Sequence, residues 1–251
     1  MHGWFGKGRL ETCRKVTRWP PTSLFWLEIH REANSIQSNK QEIVRFKDQM
    51  SNPRERILSI ALQVFAERGF EGATTVEIAR RAQVSQPLVH YHFDSKEELW
   101  RAAVDHGFSP LRAVYVGAAE EMRDIGTLAR LKIMVRRVVR FAAEHQAIVQ
   151  ITIQESVQKS PRLIWLVQNH VGPLQRELER LLEAGQQEGW AKPLPIPYVM
   201  DILMPATVSS FNTSAVSTEL YGIEMHTPEA LETHSDVLVE IFFQGLVQTA
   251  H

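Results

Sequence analysis

The stretch TTVEIARRAQVSQPLVHYHFDSKEE, residues 74 to 98, decides the fold of this chain. Thr74 followed three residues later by Glu77 is a capping box, in which a hydroxyl and a carboxylate give partners to backbone donors that a helix start leaves open. It frames a short helix running to about Ala82, with Ile78 and Ala79 facing inward. Gln83-Val84-Ser85 is a three-residue turn, Ser85 caps a helix of barely two turns over Gln86 to Phe93, and Ser95 with Glu98 opens a longer one. Helix, three-residue turn with an apolar residue inside, helix: this is a helix-turn-helix pattern. Helices so short are not stable alone and must pack across a neighbour, which leaves Gln86, Pro87, His90 and Tyr91 on a free face.

Upstream, Asn52 as cap, Pro53 at the first helical position and Glu55 at the third open a helix over about 53 to 68. Gly69 ends it in the left-handed conformation, with Phe70 placed to fold back on Phe65. Downstream, helical periodicity persists between breaks at Ser109-Pro110, Ile125-Gly126-Thr127, Ser160-Pro161, Gly172-Pro173 and Lys192 to Pro197, with a clean amphipathic helix over Gln175 to Gly189. No segment alternates apolar and polar residues for more than a few positions, so the expected fold is all-α.

Composition bounds the function. With 251 residues, 44% hydrophobic and 23% charged, the chain has enough material for real cores, which excludes general disorder and rods. A net charge of −1 means that any nucleic-acid site is local rather than a general basic excess. The single cysteine, Cys13, excludes disulfide frameworks and Cys-based zinc clusters. No apolar run reaches the roughly 18 residues of a membrane span, so no membrane partner is expected and the cytoplasm is the expected location. Residues 1 to 50 carry nine Lys and Arg against five Asp and Glu, with Trp4, Trp19 and Trp26 on no common period. Residues 1–51 are expected to be a disordered extension rather than a basic arm, upstream sequence translated from too early a start, with Met50 the natural beginning.

Arg56-Ile57-Leu58, Phe65 to Phe70, Thr74-Thr75-Val76, Ile78-Ala79, Val84 to Pro87 and His92 to Glu97 together resemble the DNA-binding domain of the tetracycline-repressor (TetR) family. The resemblance implies an N-terminal three-helix helix-turn-helix domain, residues 52–100, and a C-terminal helical effector-binding and dimerisation domain, residues 101–251. It implies a homodimer on a palindromic double-stranded operator, with Thr75 and Lys96 on phosphates and Gln86, Pro87, Leu88, His90, Tyr91 and His92 on the recognition helix. Two positions depart from the family pattern: Gln83 stands where glycine is usual, and His90 where tyrosine is usual, with Tyr91 one step later.

The residues themselves say how DNA would be gripped. Residues 53 to 100 hold six basic and seven acidic side chains, so affinity must come from placement. The hydroxyl-capped helix starts at Thr74, Ser85 and Ser95 aim backbone amides at phosphates, and Lys96 adds a charge. Gln86 matches the edge of adenine and Leu88 or Pro87 a thymine methyl, whereas no cation between Gln86 and Phe93 can grip guanine. His90 and His92, two apart on a helix, are no metal pair.

In the C-terminal part, helices are expected over Pro197 to Thr218 and Pro228 to Thr249. The second carries Leu231, Val237, Leu238, Ile241, Phe242 and Leu246, a stripe that serves either the monomer core or a four-helix dimer interface. Phe108, Tyr115, Phe141, Gln150, Gln154, Trp165 and His170 line an effector cavity or are plain core. The pairs His145 with Glu155 and His226 with His234 lack a third ligand at metal spacing. With no nucleophile motif, phosphate loop or cofactor fingerprint, the expectation is no catalytic residue, no cofactor and no metal. The expected function is a repressing transcription regulator released by an unidentified small molecule. The alternative is a helix-turn-helix adaptor controlled by a protein partner, and an all-helical enzyme ranks third.

Overall fold

The computed structural model describes residues 52–122 and 124–247, with residues 114–121 described by their backbone alone. The expectations for residues 1–51 and for the side chain of Tyr115 lie outside the described residues. Helix α1 spans Pro53–Gly72, and Asn52 Oδ1 accepts the Arg54 amide at 3.0 Å as its cap. At Gly69 φ is 69°, outside the helical range, a conformation open to glycine because it has no Cβ. The chain thereby turns Phe70 onto Phe65, the two rings stacking 6.0 Å apart. Helices α2, Thr75–Arg81, and α3, Gln86–His92, follow across the short turn, and Gln83 holds the left-handed position at φ 54° despite its side chain.

Helix α4, Lys96–Glu121, corrects one expectation: it runs through Ser109-Pro110 without ending. Proline cannot donate to the carbonyl four residues back, which is that of His106. Ser109 Oγ donates to His106 O at 2.8 Å instead, and Arg112 donates to Asp105 O at 2.8 Å. The carbonyl that proline orphans is satisfied locally, so the helix continues.

Helices α5, Thr127–Glu144, α6, Gln146–Gln158, α7, Pro161–Leu166, and α8, Gly172–Gln187, follow, then α9, Ile196–Asn212, α10, Ser214–Tyr221, and α11, Pro228–Leu246. Ser160 caps α7 as its sequence predicts, Oγ accepting from the Leu163 amide at 3.3 Å. At Gly172-Pro173 the interruption takes the form of a π-helical turn, Val167–Val171, ahead of α8. A Cβ on Gly172 would lie 2.7 Å from the Val167 carbonyl oxygen, so glycine admits the wider turn.

Two breaks were not legible. His145 separates α5 from α6, and Thr213 divides the helix expected over Pro197 to Thr218. Around Thr213 the side chains compete with the helix for its own carbonyls: Thr213 Oγ1 donates to Ser209 O at 3.1 Å and Asn212 Nδ2 to Val208 O at 3.5 Å.

The buried apolar residues form two clusters. One joins α1 to α4 with α5 and α6 through Ile57, Phe65, Ile78, Trp100, Phe141 and Ile148. The other joins α5, α8, α9 and α11 through Leu131, Leu178, Leu182, Leu203 and Phe243. The α11 stripe is shared out: Leu246 is buried, Leu231, Leu238 and Phe242 are half-buried, and Val237 and Ile241 stay exposed. Among the described residues there is no strand beyond an isolated bridge between Ala191 and Val247, and no helix is long and apolar enough to cross a membrane.

Candidate functional site

Buried Val89 and Phe93 seat α3 against the first core, and the opposite face carries Gln86, Pro87, His90 and Tyr91, all exposed, Tyr91 to 80%. Leu88 and His92 are half-buried at its flanks. Gln86 Nε2 lies 3.4 Å from His90 Nε2, one helical turn on, so the two side chains form one polar edge. An isolated helix of seven residues would not hold this face; the cross-packing of α1 and α2 does.

The three helix starts behave differently. Thr74 Oγ1 accepts the Glu77 amide at 3.2 Å, as its capping box predicts. The Glu77 carboxylate, however, takes Arg80 through Nε at 3.0 Å and Nη2 at 2.9 Å, and Arg81 through Nε at 2.6 Å. Hydrogen bonds from Arg80 and then Arg81 hold the Glu77 carboxyl down at about 2. Arg81 also reaches Glu67 at 2.7 Å, so both arginines of α2 are engaged within the fold. Ser95 Oγ accepts the Glu98 amide at 3.1 Å, and the Glu98 carboxylate accepts the Asp94 amide at 2.7 Å. Ser85 is a correction: it occupies the cap position of α3, yet its hydroxyl makes no capping bond, and its backbone carbonyl receives the Leu88 amide at 3.0 Å. The Ser85 hydroxyl is exposed beside the free face of α3.

Thr75 begins α2, half-buried. Lys96 lies over the Phe70 ring at 4.5 Å and donates to the carbonyls of Glu71 at 3.3 Å and Ala73 at 3.0 Å. Its ammonium thus closes the end of α1 while retaining one further donor.

Behind this unit, α4, α5, α6, α8 and α9 line a cavity of about 480 Å³ that opens to solvent beside exposed Ile153 and Val157. Of the residues read from the sequence as wall or core, Phe108 and Phe141 line it, whereas Trp165, Gln150, Gln154 and His170 do not. His170 is buried behind Phe108, ring on ring at 4.6 Å, with Nε2 3.1 Å from Asp105 Oδ1 but off the hydrogen-bonding axis. Burial is the largest influence on it and lowers its basicity, against the Asp105 charge, which raises it. Sequence reasoning missed Thr152, Ser156, Gln175 and Pro205 in the wall, because polar residues and a proline carry no cavity signal in an amphipathic pattern.

Helix α6 has two working faces. Ile148, Thr152 and Ser156 line the cavity, while Gln154 Nε2 donates to Ala66 O of α1 at 2.8 Å. Next to it, buried Glu155 accepts Arg162 Nε at 3.1 Å, and the Arg162 guanidinium covers the Phe70 ring. Glu155 therefore serves an arginine rather than His145. Nothing in the sequence flagged this pair, whose members belong to different helices. Among the described residues no group of His, Cys, Asp and Glu could hold a metal ion.

The fold and the free face of α3 define a helix-turn-helix protein with a helical, cavity-bearing second part. Residues 57–103 match the description "Bacterial regulatory proteins, tetR family", and residues 128–241 match "Tetracyclin repressor-like, C-terminal domain". The chain belongs to the tetracycline-repressor family. It is similar to the biofilm operon negative regulator IcaR of Staphylococcus epidermidis, 30% identical over 56 residues, 22% of this chain and 30% of that protein. It is also similar to the repressor NicS of Pseudomonas putida, 26% identical over 147 residues, 56% of this chain and 66% of that protein. The chain thus spans less than two thirds of either relative. In three dimensions it resembles the ketosteroid regulator KstR2 of Mycobacterium tuberculosis, with a TM-score of 0.61 and 22% identity over 79% of this chain and 96% of that one, a likeness of fold.

Proposed function

We propose that the protein is a dimeric, sequence-specific regulator of transcription that binds a palindromic duplex operator, represses, and is released by a small molecule held in the cavity. The observation that carries this reading is the exposed face of α3, with Gln86 and Tyr91 outward and Val89 buried beneath them. In this reading Gln86, Pro87, Leu88, His90, Tyr91 and His92 enter the major groove, and Thr74, Thr75, Ser85 and Lys96 meet phosphates. One short recognition helix reads few base pairs, so a two-fold dimer is required. Tyr198 and Ile202 on α9 with Val237 and Ile241 on α11, all at least half exposed, offer the apolar surface for it. Residues 52–100 then carry recognition and residues 101–251 effector binding and pairing, in the cytoplasm, without cofactor or catalysis. The cavity, and the contacts of α6 with both cavity and α1, favour a small-molecule signal over a protein partner.

Selection of bound sites from random duplex DNA, with sedimentation of the full chain, tests the reading. An inverted repeat retained by a dimer is expected; a monomer that retains no repeat overturns it.

A further inference from the structure

We infer that the cavity takes an uncharged, chiefly hydrocarbon molecule carrying a hydroxyl group, which Gln175 addresses. This rests on the effector reading above and narrows it to a chemical class. Among the described residues no Asp, Glu, Lys, Arg or His lines the cavity; its wall is built from side chains such as Phe108, Phe141, Ile148, Leu174 and Val208. An ion brought inside would lose part of its water and find no counter-charge, whereas an alkyl or ring system loses nothing and fills apolar space. On the two lining helices α4 and α6, Asp105 lies beside Arg112 and Glu155 is paired with Arg162.

The few polar groups in the wall sort by what they have left to offer. Thr152 Oγ1 donates to Ile148 O at 2.8 Å, Ser156 Oγ to Thr152 O at 2.7 Å and Ser209 Oγ to Pro205 O at 2.6 Å. Their protons are spent on their own helices, so they present only lone pairs. The Gln175 amide makes no hydrogen bond among the described residues and keeps both donor and acceptor for a ligand. A hydroxyl group can answer both kinds of site at once, which a carboxylate or an ammonium cannot. The volume, about 480 Å³, suits a molecule of drug size.

The test uses one hydrocarbon chain in three charge states, 1-dodecanol, dodecanoate and dodecylammonium, below their micelle thresholds at pH 8, with binding to the full chain followed by calorimetry without DNA. The alcohol should bind at least about tenfold more tightly than either ion. Gln175→Leu should weaken the alcohol about fivefold by removing its hydrogen bond. Gln175→Lys, which places a cation in the wall, should reverse the order so that dodecanoate binds best. Circular dichroism checks that each variant is folded, and the near-isosteric Gln175→Leu decides if Gln175→Lys is not. An ion bound as tightly as the alcohol, no binding of the alcohol, or a folded Gln175→Leu protein of unchanged affinity overturns the inference. Displacement of the selected operator is measured separately: binding with the expected preference but no displacement leaves the ligand class standing and sinks the effector role.

Discussion

The guanidinium carbon of Arg162 lies 3.8 Å from the centroid of the Phe70 ring, so a side chain at the start of α7 covers the residue that follows the kink glycine, Gly69, of α1. The same guanidinium holds buried Glu155 on α6 at 3.1 Å. A helix that lines the cavity is thereby fastened, through one cation, to the base of the helix-turn-helix unit. Lys96 sits over the same ring, so a shift of α6 on filling the cavity should be felt at Phe70 and at Lys96.

Arg162→Met should therefore destabilise the protein by about 3–5 kcal/mol, because it leaves the Glu155 carboxylate buried without its cation. Adding Glu155→Gln should recover a large part of that loss, since the uncompensated charge is gone. Denaturant unfolding of the single and double variants measures both, and equal stability of the two would refute the buried-ion argument.

The two hydroxyls at the starts of α2 and α3 should separate in a stability assay. Thr74→Ala removes a cap bond and should cost ~1 kcal/mol. Ser85→Ala removes none and should leave the unfolding midpoint nearly unchanged while weakening operator binding. Gln83→Gly relieves a side chain at φ 54° and should add ~0.5–1 kcal/mol.

Gln86→Ala should relax preference at one base pair of each half-site, a discrimination of roughly 1–3 kcal/mol. Lys96→Ala should weaken binding to all sequences alike, and should also lower the unfolding midpoint, because its ammonium holds the Glu71 and Ala73 carbonyls. Site selection repeated with each variant checks the first claim, and thermal melts the second. A changed motif for Lys96→Ala would contradict the assigned roles.

Acid should destabilise the fold well above the range where carboxylates titrate. Burial lowers the basicity of His106, His145, His170 and His234 from their ordinary 6.5. Below pH 6.5 the unfolded chain then takes up protons that the folded chain resists, so stability present above that pH is lost as pH falls toward the folded values. Glu77, held at about 2, gives up its contribution as pH falls from about 4.5 toward 2. Urea midpoints at pH 7.5 and 5.5 should differ, and His170→Phe, which keeps the stack on Phe108 and removes one such group, should narrow the difference.

What the sequence determined by itself is what adjacent residues decide among themselves. Caps at Asn52, Thr74, Ser95 and Ser160 and the left-handed turn at Gly69 are settled within a turn of helix, so their spacing alone located the helix-turn-helix unit and the face of α3. Tertiary structure decided whatever depends on partners distant in the chain. Phe108 became cavity wall and His170 the buried ring behind it, two residues the sequence could not tell apart, because the difference lies in which side of a packed layer each meets. It set Glu155 against Arg162 and left Val237 and Ile241 exposed while Leu246 went inside. A helical period fixes which residues share a face, but the neighbour that covers the face is chosen only when the helices pack.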